Sequence, residues 1–255
     1  LLDATAPVGI SIKDLFGRRR PMAFQPIRET GGELRSAFRL APDAPIILFS
    51  VAEDRHIESY WAMRTVRGLA ERVAALGFAA VTIPNYSFFT DAPRTDILFN
   101  RKRMMLVAEE LSAAGQAVIP HLQAITTADW RAWEDLLRRQ PIVYVAKEFQ
   151  TGLRLRELGI PALDELSRLQ DRLGRALHPV AIGGAQYNGD LAERFPAHTI
   201  VDSHAFITTV KRRAFVVSDG RLRRHPSHLG QTALLAQNLA YYSDQLASQA
   251  ARRRH

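Results

Sequence analysis

"PIILFSVAEDRHIESYWAMRTVRGLAERVAALGFAAVTIPN" (residues 45–85) sets the fold. Its first part, "PIILFSVA" (45–52), is an apolar run of strand length. "SYWAMRTVRGLAERVAALG" (59–77) then carries apolar residues at helical spacing and closes on a glycine. "FAAVTIPN" (78–85) is a second strand-length run. A strand covered on both faces reads as a continuous apolar run, and a helix between two such strands is the crossover that lets them run parallel.

The alternation repeats outward from this stretch. Strand-length runs "QAVIPHLQ" (116–123), "PIVYVAKE" (141–148), "HPVAIGGA" (178–185) and "HTIVDSHA" (198–205) follow. Between and after them come helical patterns over 95–115, 126–140, 162–174 and 189–195. Gly77, Gly115 and Gly174 stand where helices close, a place that favours glycine. Six such units predict an α/β fold, a single (β/α)8 TIM-like barrel over 41–235, with an open doubly wound sheet as the alternative. No early G-x-G-x-x-G opens a helix, which disfavours a dinucleotide fold. Residues 1–40 are expected as an N-terminal extension in which "GRRRP" and "ETGGE" read as loops, and 228–255 as a C-terminal helix with a basic, solvated tail.

Composition narrows the classes. Of 255 residues, 47% are apolar and 24% charged, ordinary for a soluble globular chain. No apolar run reaches the ~18–20 residues of a membrane span, and no secretory pattern is evident, so a cytoplasmic protein is expected. Cysteine is absent, which excludes disulfides and thiolate metal sites. Lys and Arg number 34 against 26 acids, a net charge of +8. The arginine-rich clusters "GRRR" (17–20), "KRR" (211–213), "RLRR" (221–224) and "RRR" (252–254) suit a phosphate backbone, although generic surface use of arginine gives the same composition.

Barrel chemistry sits at the C-terminal ends of strands. Those ends present Ser50, Glu53 and Asp54; Asn85 and Tyr86; His121 and Gln123; Lys147 and Glu148; Gly183, Gly184 and Gln186; and Asp202, Ser203 and His204. Side-chain amides offer paired donors and acceptors that read a base edge. Gly183 and Gly184 leave room for a flat ring against the backbone. Tyr86, Phe88 and Phe89 follow one strand end, where they sandwich a base or bury against the barrel. His121 and His204 with Asp54 or Asp202 form a metal alternative, which no H-x-H pair supports. Trp130 and Trp133, three apart on one helix, are expected in the core.

One segment goes further. "TIVDSHAFITTVKRRAFVVSDGRLRRHP" (199–226) delivers Asp202 from a strand, then a short loop, then a small strand and turn marked by Phe215, Val216, Asp219 and Gly220. It resembles the nucleophile region of the tRNA-guanine transglycosylase superfamily. "HPVAIGGAQYNGDLAERF" (178–195) resembles that family's preceding strand and helix. "VTIPNYSFFTDAPRTDILFNRKRMMLVAEEL" (81–111) resembles its Pro-rich loop and following helix, and "AVIPHLQA" (117–124) its I-V-Q-G-G strand. The likeness covers roughly residues 78–235.

The resemblance implies a nucleophile at Asp202 and base-reading roles for Asn85 and Gln123. It places the incoming-base loop at "AKE" with Lys147 and Glu148, and the backbone platform at Gly183 and Gly184. Lys211, Arg212, Arg213, Arg223 and Arg224 would then grip phosphates. This chain departs from the family at its first-strand aspartate, for which Asp54 or Glu53 would substitute, and in lacking the family's zinc-binding cysteines. Those departures lean toward relatives that insert 7-deazaguanine bases into DNA rather than tRNA.

The implied reaction needs no cofactor and no metal. An aspartate captures C1′ as the N-glycosidic bond breaks, a second acid serves the incoming base, and the target nucleotide is unpaired or flipped. The implied partners are nucleic acid and a 7-deazaguanine-type base, in a homodimer or larger modification complex, with no membrane. Two other readings stay open: an N-glycoside hydrolase using the same aspartate, and a nucleic-acid-binding barrel without catalysis. A structural Asp202 paired with the neighbouring arginines is the plain alternative.

Overall fold

A computed structural model describes residues 7–15, 30–218 and 221–254. The "GRRR" cluster and the Asp219–Gly220 turn lie outside the described residues. The chain is α/β, and it divides into two compact units, one running Asp3–Ala146 and the other holding Lys147–His255.

In the first unit the order is β1 (Val8–Ser11), α1 (Gly31–Phe38), β2 (Ile46–Phe49), α2 (Asp54–Met63), α3 (Leu69–Ala75), β3 (Ala80–Thr82), α4 (Arg94–Ala113), β4 (Val118–Ile119) and α5 (Thr127–Arg139). The sheet runs β1-β2-β3-β4, every pair parallel. β1 falls in the segment expected as an extension, yet its Val8 to Ser11 pair with Ile46 to Phe49. "ETGGE" is not a loop. Thr30 caps α1 by accepting from the Glu33 N–H at 3.3 Å, and the glycines enter the helix. The helix expected over 59–77 is two, because Gly68 takes a left-handed φ of 55° between α2 and α3.

The second unit contains β5 (Tyr144–Glu148, which begins just before the division), α6 (Arg156–Leu173), β6 (His178–Ile182), α7 (Asn188–Arg194), β7 (Thr199–Val201), α8 (His204–Val210), the strands β8 (Arg213–Ser218) and β9 (Arg221–Pro226), and α9 (Gln231–Arg254). Its sheet is β5-β6-β7, with β6 and β7 parallel. All six apolar runs of the sequence thus hold a strand, and Gly77, Gly115 and Gly174 all take positive φ at helix ends. Trp130 and Trp133 are buried, as expected. The C-terminal helix is α9, which runs on through the basic segment to Arg254, with Arg252 and Arg253 exposed to solvent as expected.

Two features fix α6 against the sheet. Leu163, Leu166 and Leu169 are buried at helical spacing. Tyr187, just before α7, donates its hydroxyl to the Leu153 carbonyl at 2.7 Å and fills the space beside Gly159. A Cβ at Gly159 would lie 2.0 Å from that hydroxyl. Gly159→Ala is therefore expected to destabilise the protein by about 2 kcal/mol or more. A denaturant midpoint equal to wild type would refute this packing.

Candidate active site

Asp202 leaves β7 directly, and α8 starts two residues later. That tight geometry follows from a short Asx turn: the His204 backbone N–H donates to Asp202 Oδ1 at 2.7 Å. The other oxygen, Oδ2, accepts the Tyr242 hydroxyl at 2.7 Å. Only 16% of the Asp202 side chain meets solvent. Burial, and then the Asp202 carboxylate itself, hold the Tyr242 hydroxyl well above the usual tyrosine range. It is a fixed donor at any working pH.

The remaining neighbours close a ring. Phe215 on β8 stacks on Tyr242, centroids 5.8 Å apart and planes 15° from parallel. Arg224 lies directly across from Phe215 in the β8–β9 register and holds its guanidinium over that ring, 5.9 Å from the centroid. The same guanidinium donates to His204 Nε2. Arginine only donates, so Nε2 must accept and the ring proton sits on Nδ1. Nδ1 is 3.8 Å from Asp202 Oδ1, on the carboxylate's side of the ring.

Asn238 builds the platform beneath. It is fully buried on α9, accepts from the Phe215 N–H at 2.7 Å, and donates to Thr209 Oγ1 and the Arg213 carbonyl, each at 2.9 Å. One side chain thus ties α8, β8 and α9 together around Asp202. Tyr242 and Asn238 were not among the sequence candidates. The signal was there: Leu234, Asn238 and Tyr242 recur every fourth residue on one helix face, and a polar group on a buried stripe needs a partner.

The five basic candidates do not form one surface. All are exposed, but successive strand residues face opposite ways. Arg213 and Arg224 share the Phe215 face, while Arg223 pairs with Val216 on the other. Lys211 caps α8, and Arg212 makes the turn into β8 with φ 55°. The structural alternative in which Asp202 pairs with these arginines is not what is seen. Among the described residues Asp202 forms no ion pair with Lys or Arg; its partners are Tyr242 and His204.

Other candidates are corrected. "AKE" is no loop, because Ala146 to Glu148 lie within β5. Lys147 is buried, which pulls its ammonium down to about 8 against the opposing effect of Glu148. Glu148 accepts from the Thr151 hydroxyl at 3.2 Å. The platform at Gly183 and Gly184 is already covered. Gly183 takes φ 73°, and a Cβ there would meet Gln150 Cγ at 2.2 Å, while Gly184 lies against Phe149 and Ala181. Glycine serves a left-handed turn and close packing here, not an open shelf for a ring.

Asp54, Asn85 and Gln123 belong to the first unit. Asp54 opens α2 and accepts from the Ser87 hydroxyl at 2.9 Å. Asn85 donates its backbone N–H to the Ser50 carbonyl at 3.2 Å, so the ends of β2 and β3 meet beside Asp54. The Gln123 carbonyl accepts the Trp133 indole N–H at 2.7 Å. Tyr86 is buried under the Arg103 guanidinium, 3.8 Å from its ring centroid, and half-buried Phe88 and exposed Phe89 follow it. His121 is fully buried, and no group of three or more His, Asp or Glu among the described residues is arranged to hold a metal ion. No described helix is long and apolar enough to cross a membrane.

Removing the Tyr242 hydroxyl isolates its contribution. Tyr242→Phe keeps the ring that stacks on Phe215 and leaves Asp202 Oδ2 without its donor. In the reaction proposed below, turnover is expected to fall about tenfold to a hundredfold, the range of one hydrogen bond to a charged group. Affinity for the nucleic acid of that proposal should be unchanged, and a parallel loss of affinity would show the hydroxyl to be structural.

No protein-family model matches this chain, and no curated protein matches it in sequence. Among solved structures it is similar to one from Coccidioides immitis, provisionally assigned as a fructose-1,6-biphosphate aldolase. The TM-score is 0.43, with 13% identity over 95% of this chain and 86% of that one. The likeness is too slight to bear on chemistry.

Proposed function

We propose that this protein is a base-exchanging transglycosylase acting on nucleic acid, DNA before tRNA, on a (β/α) barrel scaffold. The observation that carries the reading is the state of Asp202. A carboxylate at a strand end is held by a tyrosine hydroxyl and a backbone N–H and forms no ion pair with Lys or Arg among the described residues. Each of its oxygens keeps a further lone pair for an electrophile.

In the proposed reaction an Asp202 oxygen attacks C1′ of the target sugar. The C1′–N bond breaks, its electrons leave with the base, and the base takes up a proton. Tyr242 and the His204 N–H fix the carboxylate's orientation, so little reorganisation is needed at attack. The incoming base, a 7-deazaguanine type, then attacks C1′, gives its N–H proton to solvent, which balances the solvent proton taken up by the departing base, and restores the carboxylate. The Tyr242 hydroxyl and the His204 ring are the polar groups beside this centre in its unit. No cofactor or metal takes part in these steps.

The test is to incubate the protein with labelled single-stranded DNA and, separately, labelled tRNA, with and without a 7-deazaguanine base. A denaturation-resistant adduct with DNA is the expected result. Base release without exchange would make the protein a hydrolase. Binding without adduct or release would leave a nucleic-acid-binding module.

A further inference from the structure

The short helix after Asp202 is built inside out. α8 buries Ala205, Thr208 and Thr209, each at most 3% exposed. Its outward face carries Phe206 at 59%, Ile207 at 44% and Val210 at 54%. A surface helix ordinarily turns its large apolar side chains inward and its threonines out. Inside, the Thr209 hydroxyl donates to the Ala205 carbonyl and accepts from Asn238, which leaves the large apolar side chains outward. Such a face is made to be covered.

The charge beside it says by what. Lys211 and Arg212 close the same helix, both exposed, and residues 203–218 contain no carboxylate. A second copy of this chain would bring like charges together, on a protein already carrying +8. A polyanion with apolar faces complements the surface on both counts, and unpaired bases offer such faces where a duplex hides them. None of the three outward side chains has a hydroxyl or amide to engage a ribose 2′-hydroxyl, which favours DNA.

We propose that the outward face of α8 binds a stretch of unpaired DNA, with Phe206 stacking on a base and Lys211 and Arg212 holding phosphates. This rests on the nucleic-acid reading of the Asp202 site and names its substrate: a single strand running from the carboxylate along α8. Base stacking selects for unpaired bases without reading their sequence.

The experiment is fluorescence anisotropy on the full chain with a labelled single-stranded DNA of mixed sequence, its duplex, and the RNA strand of the same sequence. The single DNA strand should bind tightest. Phe206→Ala should weaken it about tenfold with the salt dependence unchanged, and Phe206→Trp, which keeps a stacking face, should retain binding. Lys211→Gln with Arg212→Gln should lower affinity and flatten the salt dependence. Equal binding by Phe206→Ala, tighter binding of duplex or RNA, or self-association that Phe206→Ala abolishes would each overturn the proposal. Failure here is separable from failure of the chemistry. Unchanged strand binding by Phe206→Ala would sink this proposal alone, and Phe206-dependent binding with no adduct would sink the chemistry alone.

Discussion

Asp202→Asn should retain the fold and lose covalent chemistry, with turnover falling on the order of 10⁴-fold or more. Asparagine has nearly the shape of aspartate. Its carbonyl oxygen still accepts the His204 N–H, and its amide can donate to the Tyr242 oxygen, so the ring around the site stays closed. What disappears is the negative charge that the proposed reaction needs at C1′. Affinity for single-stranded nucleic acid should hold or rise slightly, because a repulsive charge near the phosphates is gone. Measuring adduct yield, strand affinity and melting temperature on one sample separates the roles. A melting temperature several degrees lower with adduct intact would show Asp202 to be a latch for α9, and the proposed reaction would fall.

The second large effect lies in the other unit. Asp129 is fully buried at the start of α5 and serves as the acidic half of a capping box with Thr126. Arg94 approaches it with both terminal nitrogens, at 3.0 and 2.7 Å, and Arg101 adds a contact at 3.2 Å. Burial alone would raise its carboxyl. The hydrogen bonds from Arg94, Thr126 and Ile125 outweigh burial and hold it well below the usual carboxylate range.

Asp129→Asn leaves two part-exposed guanidinium groups facing a neutral amide and should cost about 1.5–3 kcal/mol of stability at neutral pH, the range of a hydrogen bond to a charged group. Trp130 and Trp133 on the same helix report the unfolding. The sign with pH follows from the depressed folded value. The stabilisation is complete above the unfolded carboxyl's pKa of about 3.9 and is lost as pH falls toward the folded one. Wild type and variant should therefore converge in acid, and a constant difference down to strong acid would show that the charge is not what matters.

Strands were legible because burial on both faces writes itself as an unbroken apolar run, and each of the six runs became a strand. β1 was not, because "VGIS" is short and sits among loop-like residues, and only its pairing with Ile46 to Phe49 makes it a strand. α8 was illegible for a definite reason. Its buried positions are Ala and Thr and its exposed ones Phe, Ile and Val, so the periodicity points the wrong way. Asp202 could be read from its place after a strand. Its tyrosine could not, since a helix far along the chain supplies it. The Gly183–Gly184 pair shows the opposite error: glycine signals a constraint, and here the constraint was Gln150 and Phe149 rather than a ligand.

α9 carries a consequence for how the protein is made. Asp202 leaves the ribosome 40 residues ahead of Tyr242, and Asn238 follows Arg213 by 25. Until α9 emerges, the nascent chain displays a carboxylate with neither its orienting hydroxyl nor the amide that seats α8 against β8. A polypeptide that stops short of Tyr242 therefore cannot assemble the site, however well its strands have folded.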